Sequence, residues 1–322
     1  MKILFITGHR RSGTTLIGTL LDDANELCVY PGDISILYAY YPHYNNKKYS
    51  FRFKVNKLEK ILNKTLMERE RSTTKNINFN IFVKSFLAKV NHKNINNIEK
   101  LLKLLISSYI NFYKKKFKKN VKYFVFKETS CSHLAAKMNK YFKEIKIIHI
   151  LRDPRDIYSS LKSGINTYYK KNSEDKIDLI TSMIVRLNLD LEYKETNEKI
   201  LGKKKYKTIK YEKLVLDPKK VLKEIFSFMS VKYDDKSLLP TVLGYPSIAN
   251  SYVKKISKIS KTNINNWKNK LNTEEINIIE FYLKNFILKF KYDFFLKKID
   301  EKFVISFYNQ LNKKYFFKDR FI

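Results

Sequence analysis

The sequence contains few cysteines, glycines, prolines and acidic residues, and these shortages exclude several classes of protein. Its 322 residues include two cysteines, Cys28 and Cys131, which do not form a metal-binding spacing. A small disulfide-stabilised domain is therefore excluded, and we expect a reducing, cytoplasmic environment. Seven glycines and six prolines leave no obvious flexible linker, so we expect one domain over residues 1–322.

Long apolar runs are also missing. No stretch approaches the roughly 18 consecutive apolar residues that suggest a transmembrane helix. The opening run, Met1–Ile6, is too short for the apolar region of a signal peptide and doubles as a first strand. Because hydrophobic residues make up 44% of the chain, the sequence still predicts a sizeable core.

Acidic residues are strongly outnumbered by basic ones. There are 65 Lys and Arg residues against 31 Asp and Glu, which gives a formal net charge of +34. An excess of this size favours an anionic cofactor, an acidic acceptor or peripheral contact with a membrane surface. No nucleic-acid-binding motif accompanies the charge, so no nucleic-acid partner is expected.

A strand, a basic loop and a helix follow one another at the start of the chain. The apolar run Ile3–Thr7 is typical of a buried strand in a parallel sheet, and it stops at Gly8. From Thr14 onward the apolar residues recur at helical spacing. The free N–H groups in the first turn of such a helix point into the preceding loop, which makes the loop an anion site.

The loop is close to the P-loop pattern Gly-x-x-x-x-Gly-Lys-[Ser/Thr] but differs from it at one position. Gly8 and Gly13 occupy the glycine positions, and Thr15 occupies the hydroxyl position. Thr14 replaces the lysine that a nucleoside triphosphatase places against the β- and γ-phosphates. Since Arg11 is supplied from inside the loop instead, the pattern indicates a bound anion that is not handled as Mg-ATP.

The segment Arg11-Ser12-Gly13-Thr14-Thr15-Leu16, directly after a strand, resembles the 5′-phosphosulfate loop of sulfotransferases that use 3′-phosphoadenosine 5′-phosphosulfate (PAPS). Its form is closest to the branch that holds protein-tyrosine sulfotransferases and many bacterial enzymes. The resemblance implies that the donor is bound by Arg10, Arg11, Ser12, Gly13, Thr14 and Thr15.

A second motif lies at residues 147–160, where a buried strand runs into a helix. Asp153 is the predicted N-cap of this helix, and Pro154 stands at its first position. Arg152 and, eight residues later, Ser160 match the spacing with which the sulfotransferases bind the 3′-phosphate of PAPS. An arginine fork with a hydroxyl suits a dianionic phosphate. The alternative is a strand–helix joint with a surface Arg–Asp pair.

A strand at residues 123–126 ends at Lys127, and a lysine at the carboxyl edge of a parallel strand points into the ligand crevice. The sulfotransferases have Lys-x-Pro or Lys-x-His here, and the resemblance implies that Lys127 touches the transferring sulfonate, in a catalytic role with Arg11. Because the third residue is Thr129, the histidine base of the cytosolic branch is absent.

The general base is expected near the end of the second strand. Aligned from the loop, the catalytic glutamate of the tyrosine-sulfating branch falls on Gly32, and Asp33 is the next residue. A one-residue offset turns a strand side chain to the opposite face unless a turn at Pro31-Gly32 absorbs it. Asp33 is the favoured base, with an N-cap role as its alternative. Glu128 and His133 remain the other candidates.

Two further segments match the sulfotransferases in part. In the loop at residues 260–269, Lys261 and Trp267 match the cytosolic branch, whereas its arginine and both glycines are missing. Lys261 is therefore the one residue of this loop assigned to the 3′-phosphate. Tyr211, in the signature Tyr-Glu-x-Leu, is assigned to the nucleotide, with a packing role as its alternative.

Two regions carry no chemical motif. A Lys/Asn-rich insertion at about 45–118 has apolar residues at helical spacing and is expected to form two or three helices that cap the acceptor site. Its lysines form either a solvated face or a polyanion patch. The aromatic and basic helical tail at about 273–322 is expected to pack on the core, mediate a homodimer or lie on an anionic membrane.

Together these motifs predict an α/β fold: a mostly parallel sheet flanked by helices, similar to P-loop NTPases and sulfotransferases, with a helical insertion. The resemblance implies sulfonate transfer from PAPS to a hydroxyl or amine, with no metal. The acceptor stays open among a glycan, a peptide tyrosine, a lipid and a small alcohol. The alternatives are a P-loop kinase of a small molecule and a non-enzymatic module that binds polyanionic glycans.

Overall fold

In a computed structural model of the protein, five apolar segments pair into one sheet, and every pairing is parallel. The strand order is β2-β3-β1-β4-β5. The strands are β1 (Lys2–Thr7), β2 (Leu27–Asp33), β3 (Tyr123–Lys127), β4 (Ile145–Leu151) and β5 (Tyr206–Lys210). The predicted parallel α/β sheet is therefore confirmed.

The structure describes residues 1–73, 77–117, 121–169, 174–247 and 259–316. In chain order the α-helices are α1 (Thr14–Leu21), α2 (Tyr41–Tyr44), α3 (Phe51–Glu70), α4 (Asn80–Leu87), α5 (His92–Ile95), α6 (Ile98–Phe117), α7 (Ala135–Tyr141), α8 (Pro154–Lys162), α9 (Lys176–Lys205), α10 (Tyr211–Leu216), α11 (Pro218–Met229), α12 (Thr273–Tyr282), α13 (Lys284–Lys289) and α14 (Glu301–Leu311). Short π-helices cover Ile36–Tyr40, Ile165–Tyr169 and Asn312–Phe316. Two short strands, β6 (Thr241–Val242) and β7 (Tyr245–Pro246), pair as an antiparallel hairpin.

The chain forms two compact units. The first, Met1–Leu151 with Lys194–Ser260, contains the whole sheet, and the second consists of Arg152–Tyr193 with Lys261–Ile322. The chain enters the second unit directly after β4, so the predicted strand–helix motif at residues 147–160 contributes to both.

Strand β1 lies in the centre of the sheet, between β3 and β4. The chain visits β2 and β3 on one side of β1 and then β4 and β5 on the other, which makes the carboxyl end of β1 a topological switch point. In open α/β sheets, ligands bind in the crevice at this position. The anion loop predicted after Thr7 therefore starts where the fold forms a ligand crevice.

Among its described residues the insertion contains four helices, α3 to α6, whereas the sequence predicted two or three. Apolar residues at helical spacing in α6 are buried, in agreement with the predicted helical pattern: Ile98, Leu101, Leu102, Leu105 and Ile106. Two tyrosines of α6 join the insertion to the sheet, because the Tyr109 and Tyr113 hydroxyls donate to the Val29 and Leu27 carbonyls, each at 3.4 Å. The insertion therefore packs on β2.

Strand β2 continues through Pro31 and Gly32 to Asp33, where the sequence predicted a turn. Val29 pairs with Val125, but Asp33 pairs with Lys127, so β2 uses four residues where β3 uses two. Pro31 has no N–H to donate to a ladder, and such irregularities re-aim the side chains that follow them. The two extra residues form a bulge in β2 directly before Asp33, and Asp33 is thereby paired with Lys127.

The second unit is built around α8. Asp153 caps this helix by accepting from the Arg155 N–H at 2.9 Å, and Pro154 occupies the first turn, as predicted. The Arg155 guanidinium lies between two buried carboxylates, at 2.7 Å from Asp153 and 2.6 Å from Glu280. This buried ion triad fastens α12 to the start of α8.

The described part of the C-terminal segment contains the helices α12, α13 and α14, with a non-helical stretch at residues 290–300 between α13 and α14. Several of its large apolar side chains are exposed: Phe281, Leu288, Phe294, Phe295, Ile305, Tyr308 and Tyr315. Among the described helices, none is long and apolar enough to cross a membrane.

Replacement of Glu280 tests the buried triad. Glu280 accepts hydrogen bonds from Arg155 and from the Phe295 and Leu296 N–H groups, so Glu280→Ala leaves a buried guanidinium and two amides short of an acceptor. We expect a loss of about 3–5 kcal/mol in unfolding free energy, measured by urea denaturation with Trp267 fluorescence. The exposed neighbour Lys284→Ala is the control, and equal midpoints for the two variants would contradict the assignment.

Candidate active site

The anion loop leaves β1 through a backbone conformation that requires glycine. Gly8 has φ 151°, and a Cβ placed on it would lie 2.3 Å from the Ile150 carbonyl oxygen. Any side chain here would therefore collide with the neighbouring strand β4. The loop can start beside β4 because Gly8 has no Cβ.

A tight turn follows in the loop. The Ser12 N–H and hydroxyl both donate to the His9 carbonyl, at 3.0 and 2.5 Å. Arg11 adopts the left-handed region at φ 70°, which a residue other than glycine occupies at a cost in free energy. Ser12 is buried, whereas Arg10 and Arg11 are half-buried. The Ser12 side chain therefore shapes the loop that carries the two arginines.

The loop ends at Gly13, the N-cap of α1, at φ 102°. Gly13 has no side-chain oxygen to accept from the first-turn N–H groups, so these donors face the loop. Thr14 is buried and Thr15 half-buried in this turn. A Cβ on Gly13 would lie 2.5 Å from the Tyr211 ring, and Tyr211 therefore packs against the loop.

Lys127 and Asp33 form an ion pair at the carboxyl ends of β3 and β2. The Lys127 Nζ lies 2.7 Å from Asp33 Oδ2, and the Thr129 N–H donates to Asp33 Oδ1 at 3.1 Å. The Lys127 side chain is 4% exposed and that of Asp33 is 29% exposed. Burial lowers the pKa of Lys127, and the Asp33 carboxylate opposes that change.

Hydrogen bonds tie the end of β3 to the anion loop. The Ser130 N–H donates to the Gly8 carbonyl at 2.8 Å, and the Glu128 N–H donates to the Ile6 carbonyl at 3.1 Å. The buried Thr7 hydroxyl donates to the Glu128 carbonyl at 3.0 Å and accepts from the Cys131 N–H at 3.2 Å. The Lys127–Asp33 pair is thereby held beside the loop.

The other two base candidates occupy different positions. The buried Glu128 carboxylate accepts from the Ser35 N–H at 2.6 Å, where the π-helix Ile36–Tyr40 starts. Burial and the nearby Asp33 charge raise the pKa of Glu128 well above its usual range. His133 is exposed on a single 3₁₀ turn, Ser132–Leu134.

Arg69 is a further cation at this site that the sequence motifs did not identify. It lies at the end of α3, is 5% exposed, and interacts electrostatically with Asp33 and Arg11. The prediction for the insertion concerned its lysines, as a solvated face or a polyanion patch, and gave its arginines no role. The signal that could have identified Arg69 is its helical spacing from the buried Leu58, Leu62 and Leu66.

The second unit assembles the residues predicted to bind a 3′-phosphate. Arg152 is 6% exposed, and its Nη2 donates to the Asn263 carbonyl at 2.6 Å, in the loop that begins at Lys261. Ser160 is half-buried on α8, and Lys261 is exposed. The structure therefore brings Arg152 to the backbone of the loop predicted from Lys261 and Trp267.

Asp156 and Arg155 hold the same loop. The Asp156 carboxylate accepts from the Asn265 N–H at 2.8 Å and the Trp267 N–H at 3.1 Å. Burial raises the pKa of Asp156 to about 6, although the Arg152 charge opposes this change. The Arg155 guanidinium lies 4.2 Å from the centroid of the buried Trp267 ring, a cation–π distance. The loop is therefore held at its backbone by both Asp156 oxygens and at its Trp267 ring by Arg155.

The chain matches a known protein family over most of its length. A model of the sulfotransferase family matches residues 4–235. The chain belongs to the sulfotransferase family. The match includes the anion loop, Lys127, Arg152 and Ser160, and it ends before the loop of Lys261. Comparison with curated proteins found no match.

Solved sulfotransferase structures share this fold. The sulfotransferase domain from the curacin biosynthetic pathway is 18% identical with a TM-score of 0.59, over 91% of this chain and 98% of that chain. The sulfotransferase domain of the Synechococcus PCC 7002 olefin synthase is 17% identical with a TM-score of 0.59, over 91% and 95%. At such identities the likeness concerns the fold.

The described part of this sulfotransferase contains no group of three or more His, Cys, Asp and Glu side chains that could hold a metal ion. Apart from the Asp33 carboxylate, which is paired with Lys127, the polar groups around the anion loop include cations, hydroxyls and backbone N–H donors. Such groups bind an oxyanion directly by charge-assisted hydrogen bonds.

Gly13→Ala tests whether Tyr211 shapes the loop of this sulfotransferase. The new Cβ would meet the Tyr211 ring in a backbone conformation that alanine disfavours, so we expect a loss of roughly 1–3 kcal/mol in unfolding free energy. Gly18→Ala in α1 is the matched control, because a Cβ there meets no atom within 4 Å and alanine favours a helix. Chemical denaturation measures both, and equal stability of the two variants would contradict the packing.

Proposed function

We propose that this sulfotransferase uses PAPS as the donor and transfers its sulfonate to a hydroxyl or amine of an acceptor. The observation that supports this most directly is the Lys127–Asp33 pair at 2.7 Å. It supplies a cation for the sulfonate and a carboxylate for the acceptor proton, on neighbouring strands beside the anion loop. Neither a simple anion-binding module nor a loop that binds phosphate alone needs this combination.

The 5′-phosphosulfate would be bound in the first unit. Arg10 and Arg11 supply positive charge, Thr14 and Thr15 supply hydroxyls, and the first turn of α1 supplies N–H donors. Charge-assisted hydrogen bonds of this kind are about twice as strong as neutral ones. Gly13 lets the backbone approach the anion, with Tyr211 packed behind it.

Arg152, Ser160 and Lys261 are the residues proposed to recognise the 3′-phosphate. Arg152 is buried on the loop backbone, so its guanidinium is already ordered before a ligand arrives. Pre-ordering lowers the entropic cost of binding. Lys261 lies outside the residues matched by the family model, and its role rests on the partial loop resemblance.

The reaction follows from these positions. An acceptor oxygen forms a bond to the sulfonate sulfur while the bond from that sulfur to the 5′-phosphate oxygen breaks. The acceptor proton passes to Asp33, and the leaving adenosine 3′,5′-bisphosphate takes the electron pair of the broken bond. Lys127 and Arg11 stabilise the charge that develops on the sulfonate and the leaving phosphate. No metal ion is needed for this scheme.

The acceptor class stays open among a glycan, a peptide, a lipid and a small alcohol, and a homodimer or peripheral membrane contact remains a prediction. A P-loop kinase is disfavoured by Thr14 at the lysine position.

Calorimetric titration with adenosine 3′,5′-bisphosphate, ATP and heparin separates the sulfotransferase, kinase and polyanion-binding hypotheses. Transfer from radiolabelled PAPS to cell extracts, with and without EDTA, would reveal acceptors and test independence from metal.

Arg152→Ala tests the 3′-phosphate site. Loss of a charge-assisted contact costs about 1.5–3 kcal/mol, so affinity for adenosine 3′,5′-bisphosphate should fall at least about tenfold. Calorimetry measures the affinity, with the exposed Lys297→Ala as the control. The wild-type protein should prefer the bisphosphate to AMP, and equal affinity for the two nucleotides would rule out the assignment.

Asp33→Asn tests the proposed general base. A positioned base contributes about 10²–10⁴ in rate, so turnover should fall at least about a hundredfold. Affinity for adenosine 3′,5′-bisphosphate, which has no transferring group, should stay unchanged. The comparison is Glu128→Gln: full turnover in Asp33→Asn with loss in Glu128→Gln would show that Glu128 is the base.

A further inference from the structure

Arg69 reaches the Lys127–Asp33 pair from the helical insertion. Its side chain is buried, and a methyl group placed on Gly32 would lie 3.5 Å from Arg69 Cγ and 3.9 Å from its Nε. The stem of Arg69 therefore crosses β2 at the residue directly before Asp33. The Arg69 guanidinium is thereby close enough to interact electrostatically with the Asp33 carboxylate, which binds Lys127.

The crossing depends on a small residue at position 32. The same methyl group on Gly32 would lie 3.5 Å from the Thr65 carbonyl oxygen, so α3 packs closely on the strand at this point. A long side chain, such as the glutamate that the resemblance places at position 32, would displace the Arg69 stem. The absence of a glutamate at position 32 and the burial of Arg69 therefore both depend on the close packing of α3 on β2.

The Asp33 charge acts on two buried cations, Lys127 and Arg69. Asp33 is the nearby charge with the largest favourable influence on Arg69, whereas Arg11 repels it. Lys127 and Arg69 also repel each other, and this repulsion adds to the effect of burial in lowering the pKa of Lys127. Buried charges are stable only when they are paired, so Asp33 neutralises part of both cations.

We propose that Arg69 is a positioning residue that holds Asp33 in place when Lys127 leaves it for the donor sulfonate. This inference rests on the proposed function, because it needs Lys127 to contact the sulfonate. When the Lys127 ammonium moves toward the donor, the Asp33 carboxylate loses the partner that lies 2.7 Å from it. The rigid donor fork of Arg69 then becomes the cation that fixes the carboxylate toward the acceptor.

The activity test compares Arg69→Ala, Arg69→Lys and the exposed control Arg71→Ala. In transfer from radiolabelled PAPS to extract acceptors, Arg69→Ala should lower the saturated rate about 100-fold through a misplaced base. KM for PAPS and affinity for adenosine 3′,5′-bisphosphate should change less than about twofold. Added guanidinium ion should restore part of the Arg69→Ala rate, and Arg69→Lys should retain part of it. A full rate in Arg69→Ala would overturn the inference.

A second measurement does not require activity. The thermal midpoints of wild type, Arg69→Ala, Asp33→Asn and the double variant form a double-mutant cycle. We expect non-additive shifts, with Asp33→Asn less damaging once Arg69 is gone, and additive shifts would overturn the inference. If wild type neither transfers sulfonate nor binds the bisphosphate, the proposed function fails, and the cycle still decides whether Arg69 and Asp33 are coupled.

Discussion

A buried cation must have an anionic partner, and the first unit depends on how it meets this requirement. Lys127 and Arg69 are both almost inaccessible to solvent, and Asp33 is the carboxylate beside them. Leaving either cation unpaired would cost several kcal/mol. The bulge in β2, the packing of α3 on Gly32 and the tether between β3 and the anion loop all serve to bring that carboxylate to these cations.

The second unit also contains a buried cation, and there two carboxylates pair with it. Arg155 is buried between Asp153 and Glu280 and lies against the Trp267 ring, and Asp156 accepts from the loop backbone. None of these residues is assigned to a ligand. They hold the loop so that Arg152, which is assigned to the 3′-phosphate, has a fixed backbone partner at Asn263. The residues that support Arg152 therefore act mainly through charged side chains.

Local patterns explain which predictions succeeded. The buried strands, the glycines of the anion loop and the Asp153-Pro154 helix start depend on residues close together in sequence, and the structure places them as expected. Strand β2 was predicted less well, because a turn and a bulge at Pro31-Gly32 have the same local residue pattern. Only the pairing of Asp33 with Lys127 on the neighbouring strand distinguishes them.

The sequence by itself determined the α/β class, the anion loop and the family, because each of these follows from short motifs with a fixed backbone geometry. Tertiary structure decided which carboxylate meets Lys127, since Asp33 and Glu128 are both adjacent to the strand ends and only burial and hydrogen bonding separate them. It also decided the place of Arg69. Arg69 is 36 residues from Asp33 along the chain, and it reaches that carboxylate because α3 packs on a strand that has glycine at the point of contact.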